Sequence, residues 1–266
     1  MILEGKKILV TGVLTPASIA FAIADLALGE GAEIVLTSFG RAMSLTEKSA
    51  RRMKPVPEVL EMDVNDQPQV DRLAETLKQR WGRLDGFVHA IAFAPTDALG
   101  GNFLTAPWES VQTAFRTSSY SLKAMAQSLY PLMREHGGSI VTLDFDNSTQ
   151  AWPVYDWMGV CKAALESVTR YLARDLGKHQ IRVNALAAGP LETMAAKGIP
   201  GFEKFRDTWA DRSPLGWDTA DRTPVAKMAC MLLSDWAIAT TGEIVHVDGG
   251  YHAMGAELVK DAPPPD

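Results

Sequence analysis

Seven short apolar runs alternate with helix-period segments along almost the whole chain. The runs are KILVT (7–11), EIVLT (33–37), EVLEM (58–62), GFVHAI (86–91), SIVTLDF (139–145), RVNALA (182–187) and EIVHV (243–247). Helical patterns fall between them, near 18–29, 67–81, 108–135, 154–178 and 221–234. Strands apolar on both faces need cover on both faces. Helices that return the chain between them supply it and leave neighbouring strands parallel. The expected fold is one α/β domain on a doubly wound parallel sheet of about seven strands. Ligands of such sheets bind beyond the carboxyl ends of the strands. The segments after Thr11, Thr37, Met62, Ala90, Leu143 and Ala187 are therefore where function is sought.

The 266 residues are 47% hydrophobic, enough for one full core, and contain no repeat and no interdomain linker. A net charge of −6 argues against nucleic acid as a partner. Cys161 and Cys230 sit in apolar helical patterns without metal-site spacing, so buried thiols and no metal are expected. No apolar run reaches the roughly 20 residues of a membrane span, and no cleavable signal fits ahead of the first strand. A cytoplasmic chain without membrane association is expected, with residues 258–266, ending KDAPPPD, as a disordered tail.

The first strand runs into VTGVLTPASIAFAIA (10–24). This strand–glycine–helix layout is that of a dinucleotide turn, yet only Gly12 of the usual three glycines is present. Gly12 gives the tight turn out of the strand. Ser18 stands where the helix begins, so its hydroxyl can cap backbone N–H groups or donate to a phosphate oxygen, and the helix N-terminus is an anion site either way. A second signal lies in VYDWMGVCKAALESVTRYLARDL (154–176). Tyr155 and Lys162 are seven apart, hence on one helix face and about 10 Å apart along its axis. The phenol can meet a substrate carbonyl, and the lysine can reach ribose hydroxyls. The lysine's charge is expected to lower the phenol's pKa.

Taken together, these segments resemble the short-chain dehydrogenase/reductase superfamily, with its Rossmann fold, up to about Gly255. The seven-residue Tyr–Lys spacing and the serine in a glycine-poor first loop resemble its bacterial enoyl-acyl-carrier-protein reductase branch. HAIAFAP (89–95), SSYS (118–121), AAGPLET (187–193), LLSDWA (232–237) and TGEIVHVDGGYHAMG (241–255) match as well, and LDFD, YDWM and RSPLGW resemble the actinobacterial, mycobacterial-type enzymes. The resemblance implies reduction of trans-2-enoyl thioesters on acyl carrier protein in fatty-acid elongation, and a homotetramer.

It also implies roles for particular residues. Tyr155 would hydrogen-bond the thioester oxygen as charge gathers there, and Lys162 would hold the ribose. The proton donor to C2 is open between Tyr155 and water. Phe145, ten before Tyr155, cannot donate the hydrogen bond that a carbonyl reduction requires, which argues for an apolar wall beside a C=C bond. Ile91 and Ala92 would pack near the nicotinamide. Gly12, Ser18 and Ile19 would form the phosphate turn, and Gly189, Leu191 and Thr193 the facing segment. Phe39 would line the adenine pocket, with Asp63 and Val64 at the adenine edge. No acid follows strand two and no basic cluster accompanies Arg41, so NADH is favoured over NADPH.

The stretch 190–216 reads as a lid, with Met194, Ile199 and Phe202 (and Phe205) over an acyl chain. Lys197, Lys204 and Arg206 are candidates for docking an acidic carrier protein. Its shortness implies short to medium chains. The domain is expected to span 1–257. A ketoacyl reductase of the same superfamily and a non-catalytic dinucleotide sensor are the alternatives.

Overall fold

The computed structural model describes residues 1–145, 149–199 and 201–258, apart from the side chains of Lys204, Phe205 and Ala210. Its strands are β1 (Lys7–Val10), β2 (Glu33–Ser38), β3 (Glu58–Glu61), β4 (Gly86–His89), β5 (Gly138–Asp144), β6 (Ile181–Ala188) and β7 (Ile244–Val247). They form one sheet in the order β3-β2-β1-β4-β5-β6-β7, and every neighbouring pair is parallel. The chain winds outward from β1 to β3, then crosses back to β4. The carboxyl ends of β1 and β4 therefore flank the point where winding reverses, and a crevice opens there.

The helices are α1 (Ile19–Gly29), α2 (Met43–Ala50), α3 (Gln67–Trp81), α4 (Trp108–Phe115), α5 (Ser121–Leu129), α6 (Asp156–Leu176), α7 (Met194–Lys197), α8 (Phe202–Arg212) and α9 (Thr223–Leu233). Side-chain alternation along the strands divides the core. Ile8 and Val10 point to the layer of α1 and α9, whereas Leu9 points to the layer of α3, α5 and α6. Apolar burial on both faces is what the uninterrupted apolar strands require. Among the described residues, no helix is long and apolar enough to cross a membrane, and no group of three or more His, Cys, Asp or Glu is placed to hold a metal ion. Both cysteines are buried and free.

Three segments differ from expectation. The single helix expected over 108–135 is broken by a π-helical turn at Arg116–Tyr120 and ends in a 3-10 turn at Tyr130–Leu132. The wide turn is held by buried hydroxyls. Ser118 Oγ accepts from Phe93 N and donates to Phe93 O, both at 3.0 Å, and Ser119 Oγ donates to Cys161 O at 2.7 Å. Helix α2 was not expected. Its buried residues are Thr46, Ser49 and Ala50, and the two hydroxyls donate to Val13 O and Leu14 O, so it docks by hydrogen bonds rather than an apolar stripe. Leu258, assigned to the tail, donates its N–H to Asp211 O at 3.1 Å, so the packed chain reaches at least that residue. The rest of the tail, 259–266, lies outside the described residues.

Candidate active site

The crevice beyond the strands is a cleft of about 670 Å³. Its phosphate end is made by the β1–α1 connection. Gly12 has φ +81°, and a Cβ built there would lie 2.0 Å from Ala90 O, so only glycine lets this turn press against the end of β4. The turn is further pinned by Thr11 Oγ1, which donates to Val88 O and accepts from Ala90 N. Ser18 precedes α1 but does not cap it. Its Oγ accepts from Leu14 N and Thr15 N, each at 3.1 Å. The hydroxyl thus curls the loop back on itself and leaves the first two residues of α1, Ile19 and Ala20, at the cleft, while Phe21 N donates to Ser18 O. This corrects the capping role and leaves the anion site at the helix N-terminus.

The facing wall follows β6. A Cβ on Gly189 would meet Trp217 at 2.7 Å and Trp209 Nε1 at 2.8 Å, so two indoles close on this backbone. Leu191 is buried, and Thr193 caps α7 by accepting from Ala196 N at 3.1 Å. At the far end, beyond β2 and β3, Phe39 is 49% exposed and Val64 is buried, and the Asp63 carboxylate accepts from Asn65 N at 2.9 Å.

The other end is built from buried side chains. Tyr155 immediately precedes α6 and is 8% exposed. Phe145 meets it edge-on, with ring centroids 5.3 Å apart. Behind Phe145 stand Trp152 at 5.3 Å and Trp209 at 5.6 Å, and Trp209 stacks on Tyr251 at 3.8 Å. Lys162, 6% exposed, donates to Leu143 O at 2.7 Å, which fixes its ammonium at the carboxyl end of β5. Burial lowers the lysine's pKa, with Asp144 and Cys161 opposing that shift. Burial raises the phenol's pKa well above its ordinary value, and Asp144 and Cys161 push the same way. The phenol is therefore held neutral. The lowering expected from Lys162 does not occur: desolvation, then Asp144 and Cys161, all act to raise the phenol's pKa.

Gly12, Ser18, Ile19, Phe39, Asp63, Val64, Ile91, Ala92, Gly189, Leu191, Thr193, Lys162, Tyr155 and Phe145 all line this one cleft, as do Met194, Ile199 and Phe202. Arg41, in the short 3-10 turn Gly40–Ala42, does not. Of the lid cations, Lys197 is exposed and Arg206 pairs with Asp207 at 3.1 Å, while the side chains of Lys204 and Phe205 lie outside the described residues. Asp144 and Asn65, which no sequence motif singled out, also line the cleft. An acid closing an otherwise apolar strand was the available signal for Asp144.

A glycine turn that a Cβ would fill, an open helix N-terminus and a cleft spanning the winding reversal define a dinucleotide-binding α/β protein. The family model described as Enoyl-(Acyl carrier protein) reductase matches residues 12–252. A protein of Mycolicibacterium smegmatis named enoyl-[acyl-carrier-protein] reductase [NADH] is 44% identical, covering 94% of this chain and 97% of its own. One of the same name from Mycobacterium avium is 43% identical, covering 94% and 97%. One from Aquifex aeolicus is 40% identical, covering 96% and 94%. The chain belongs to the enoyl-acyl-carrier-protein reductase family.

Proposed function

We propose that this chain reduces the C2–C3 double bond of trans-2-enoyl thioesters on acyl carrier protein, in fatty-acid elongation, with NADH as reductant. The observation that carries the reading is the pairing of one buried phenol with an apolar ring in the wall of the cleft. NADH, when bound, supplies hydride to C3. Tyr155 donates a hydrogen bond to the thioester oxygen and stabilises it as charge develops there, in a site shielded from water. Lys162, anchored by Leu143 O, holds the ribose. Phe145 keeps the reacting carbons in apolar surroundings and offers no second donor to a ketone.

Gly12, Ser18 and Ile19, with α1, take the pyrophosphate from one side, and Gly189, Leu191 and Thr193 take it from the other. Phe39, Asp63 and Val64 receive the adenine, and Ile91 and Ala92 border the nicotinamide. The absence of a basic cluster beside Arg41 favours NADH over NADPH. Met194, Ile199 and Phe202 cover the acyl chain. The short lid limits that cover, and with about 0.8 kcal/mol for each buried CH₂, kcat/KM is expected to plateau before about sixteen carbons. Carrier protein would dock beside the cationic lid residues Lys197, Lys204 and Arg206. We further propose a cytoplasmic homotetramer, to be tested by light scattering.

The decisive assay follows NADH absorbance with dodecenoyl-thioester and then with ketoacyl-thioester. Oxidation with the enoyl substrate alone is the expected result. Oxidation with the ketoacyl substrate alone points to a carbonyl reductase, and oxidation with neither points to a sensor.

A further inference from the structure

Arg222 lies just ahead of α9, outside the cleft, and its guanidinium is committed to backbone. Nε donates to Ala17 O at 3.0 Å, Nη2 donates to Glu192 O, and Nη1 donates to Ala220 O. Ala17 belongs to the turn that leads into α1, and Glu192 to the segment between β6 and α7. These are the two facing walls of the phosphate end.

The second wall has further ties to the stretch 217–222. Trp217 Nε1 donates to Pro190 O at 2.8 Å, Thr219 Oγ1 donates to Glu192 Oε1 at 3.2 Å, and Glu192 N donates to Thr219 O at 2.9 Å. The stretch is therefore a strap under the β6–α7 segment. Among the described residues, Arg222 is the only member of the strap whose hydrogen bonds also reach the β1–α1 turn. The planar fork of a guanidinium holds two carbonyls at a set separation, which a single ammonium does not. Helix α7 begins two residues beyond Glu192, so whatever fixes Glu192 fixes the root of the lid.

We propose that Arg222 is a positioning residue that couples cofactor occupancy to the lid: it locks the spacing of the two phosphate walls, so that a dinucleotide seated between them orders α7 and α8. The inference rests on the reading of the cleft as an NADH site. Without the fork, the walls are joined only through the strap and the packing of α9 on α1, and the direct coupling between the two events is lost. Folding does not depend on the arginine, because α9 is held by buried Val225, Ala226, Ala229 and Leu233.

The test compares the wild type with Arg222→Ala and Arg222→Lys, each saturated with NADH as judged by cofactor fluorescence. Hydrogen exchange is read at amides of α7 and α8, with α6 as an internal reference. NADH is expected to slow exchange in α7 and α8 of the wild type by about tenfold or more, and by less than about threefold in both variants, with α6 unchanged. Equal protection of α7 and α8 in all three proteins would overturn the proposal. So would protection kept by Arg222→Lys but lost by Arg222→Ala, since charge rather than the fork would then carry the coupling. No fluorescence change in the wild type would instead remove the cofactor reading, and this inference with it.

Discussion

The two ends of the cleft are made of different materials. At the phosphate end the shape is backbone: Gly12 pressed on Ala90 O, a loop curled by Ser18, a bare helix N-terminus and Gly189 under two indoles. At the reacting end it is packed side chains: Tyr155, Lys162 and Asp144 are buried, Phe145 is half-buried against Tyr155, and the buried His89 feels the charge of Lys162. The first end binds by geometry and depends little on which polar side chains surround it. The second depends on side-chain identity, because burial shifts the pKa of Tyr155 upward and those of Lys162 and His89 downward.

The strongest way to break this contrast is Gly12→Val. A Cβ at 2.0 Å from a carbonyl oxygen, on a residue with φ +81°, combines steric overlap with left-handed strain. A loss of about 2–5 kcal/mol is expected by chemical denaturation, together with loss of NADH binding. A loss below about 1 kcal/mol would mean that the backbone end is not rigid.

At the reacting end, Tyr155→Phe is expected to lower kcat by about 10²–10³-fold while leaving the NADH Kd near its starting value. Lys162→Ala is expected to weaken NADH binding more than Tyr155→Phe does, because the ammonium holds the ground state. Fluorescence titration of both variants checks this, and the reverse order would break the division of labour.

His89 sharpens the contrast through pH. Its ring is fully buried between Thr142 Oγ1 at 2.9 Å and Ser121 Oγ at 2.8 Å. Burial, then the charge of Lys162, lowers its pKa from 6.5 to about 3. Between those values the unfolded chain binds a proton that the native ring refuses, so stability falls as pH falls, by about 1.4 kcal/mol per unit below 6.5. In His89→Gln this contribution disappears. Denaturation at pH 7 and 4.5 should show a smaller acid loss than in the wild type, and an equal loss would argue that the ring is protonated in the native state.

Ser18→Ala is expected to have the smallest effect. Two loop N–H groups lose their acceptor but are near water, so about 0.5–1 kcal/mol is expected, read as a two- to fivefold rise in NADH Kd. A loss of a hundredfold would make the hydroxyl itself a phosphate ligand of the first rank.

The sheet was legible because fully buried parallel strands must be apolar at every position, and that pattern is visible without any partner. Helix α3 was equally plain, at Gln67–Trp81, as its apolar residues recur with helical period. Helix α2 was not, since it docks through Thr46 and Ser49, and hydroxyls used as glue look like hydroxyls in solvent. The break at Arg116–Tyr120 was hidden for a similar reason: Ser118 and Ser119 find their partners on Phe93 and Cys161, 25 and 42 residues away. Position after the strands pointed to the segments, the family resemblance picked residues within them, and the structure gathers those residues on one cleft. What position does not give is electrostatic balance. Lys162 was expected to make the phenol more acidic, but burial and Asp144 decide the outcome the other way.

The wide turn at Arg116–Tyr120 also sets how this helical region can vary in length. It carries one residue more than an α-helical turn needs. Removing a residue there would let the helix close into regular form and leave the facing of α4 relative to α5 nearly unchanged, because the extra residue is absorbed within one turn. The local backbone at Ser118 would change, so Ser118 would leave Phe93 and release the loop that carries Ile91 and Ala92. The helix could therefore spare the residue and keep its packing, and what would be lost is the tether between this turn and the cleft's own loop.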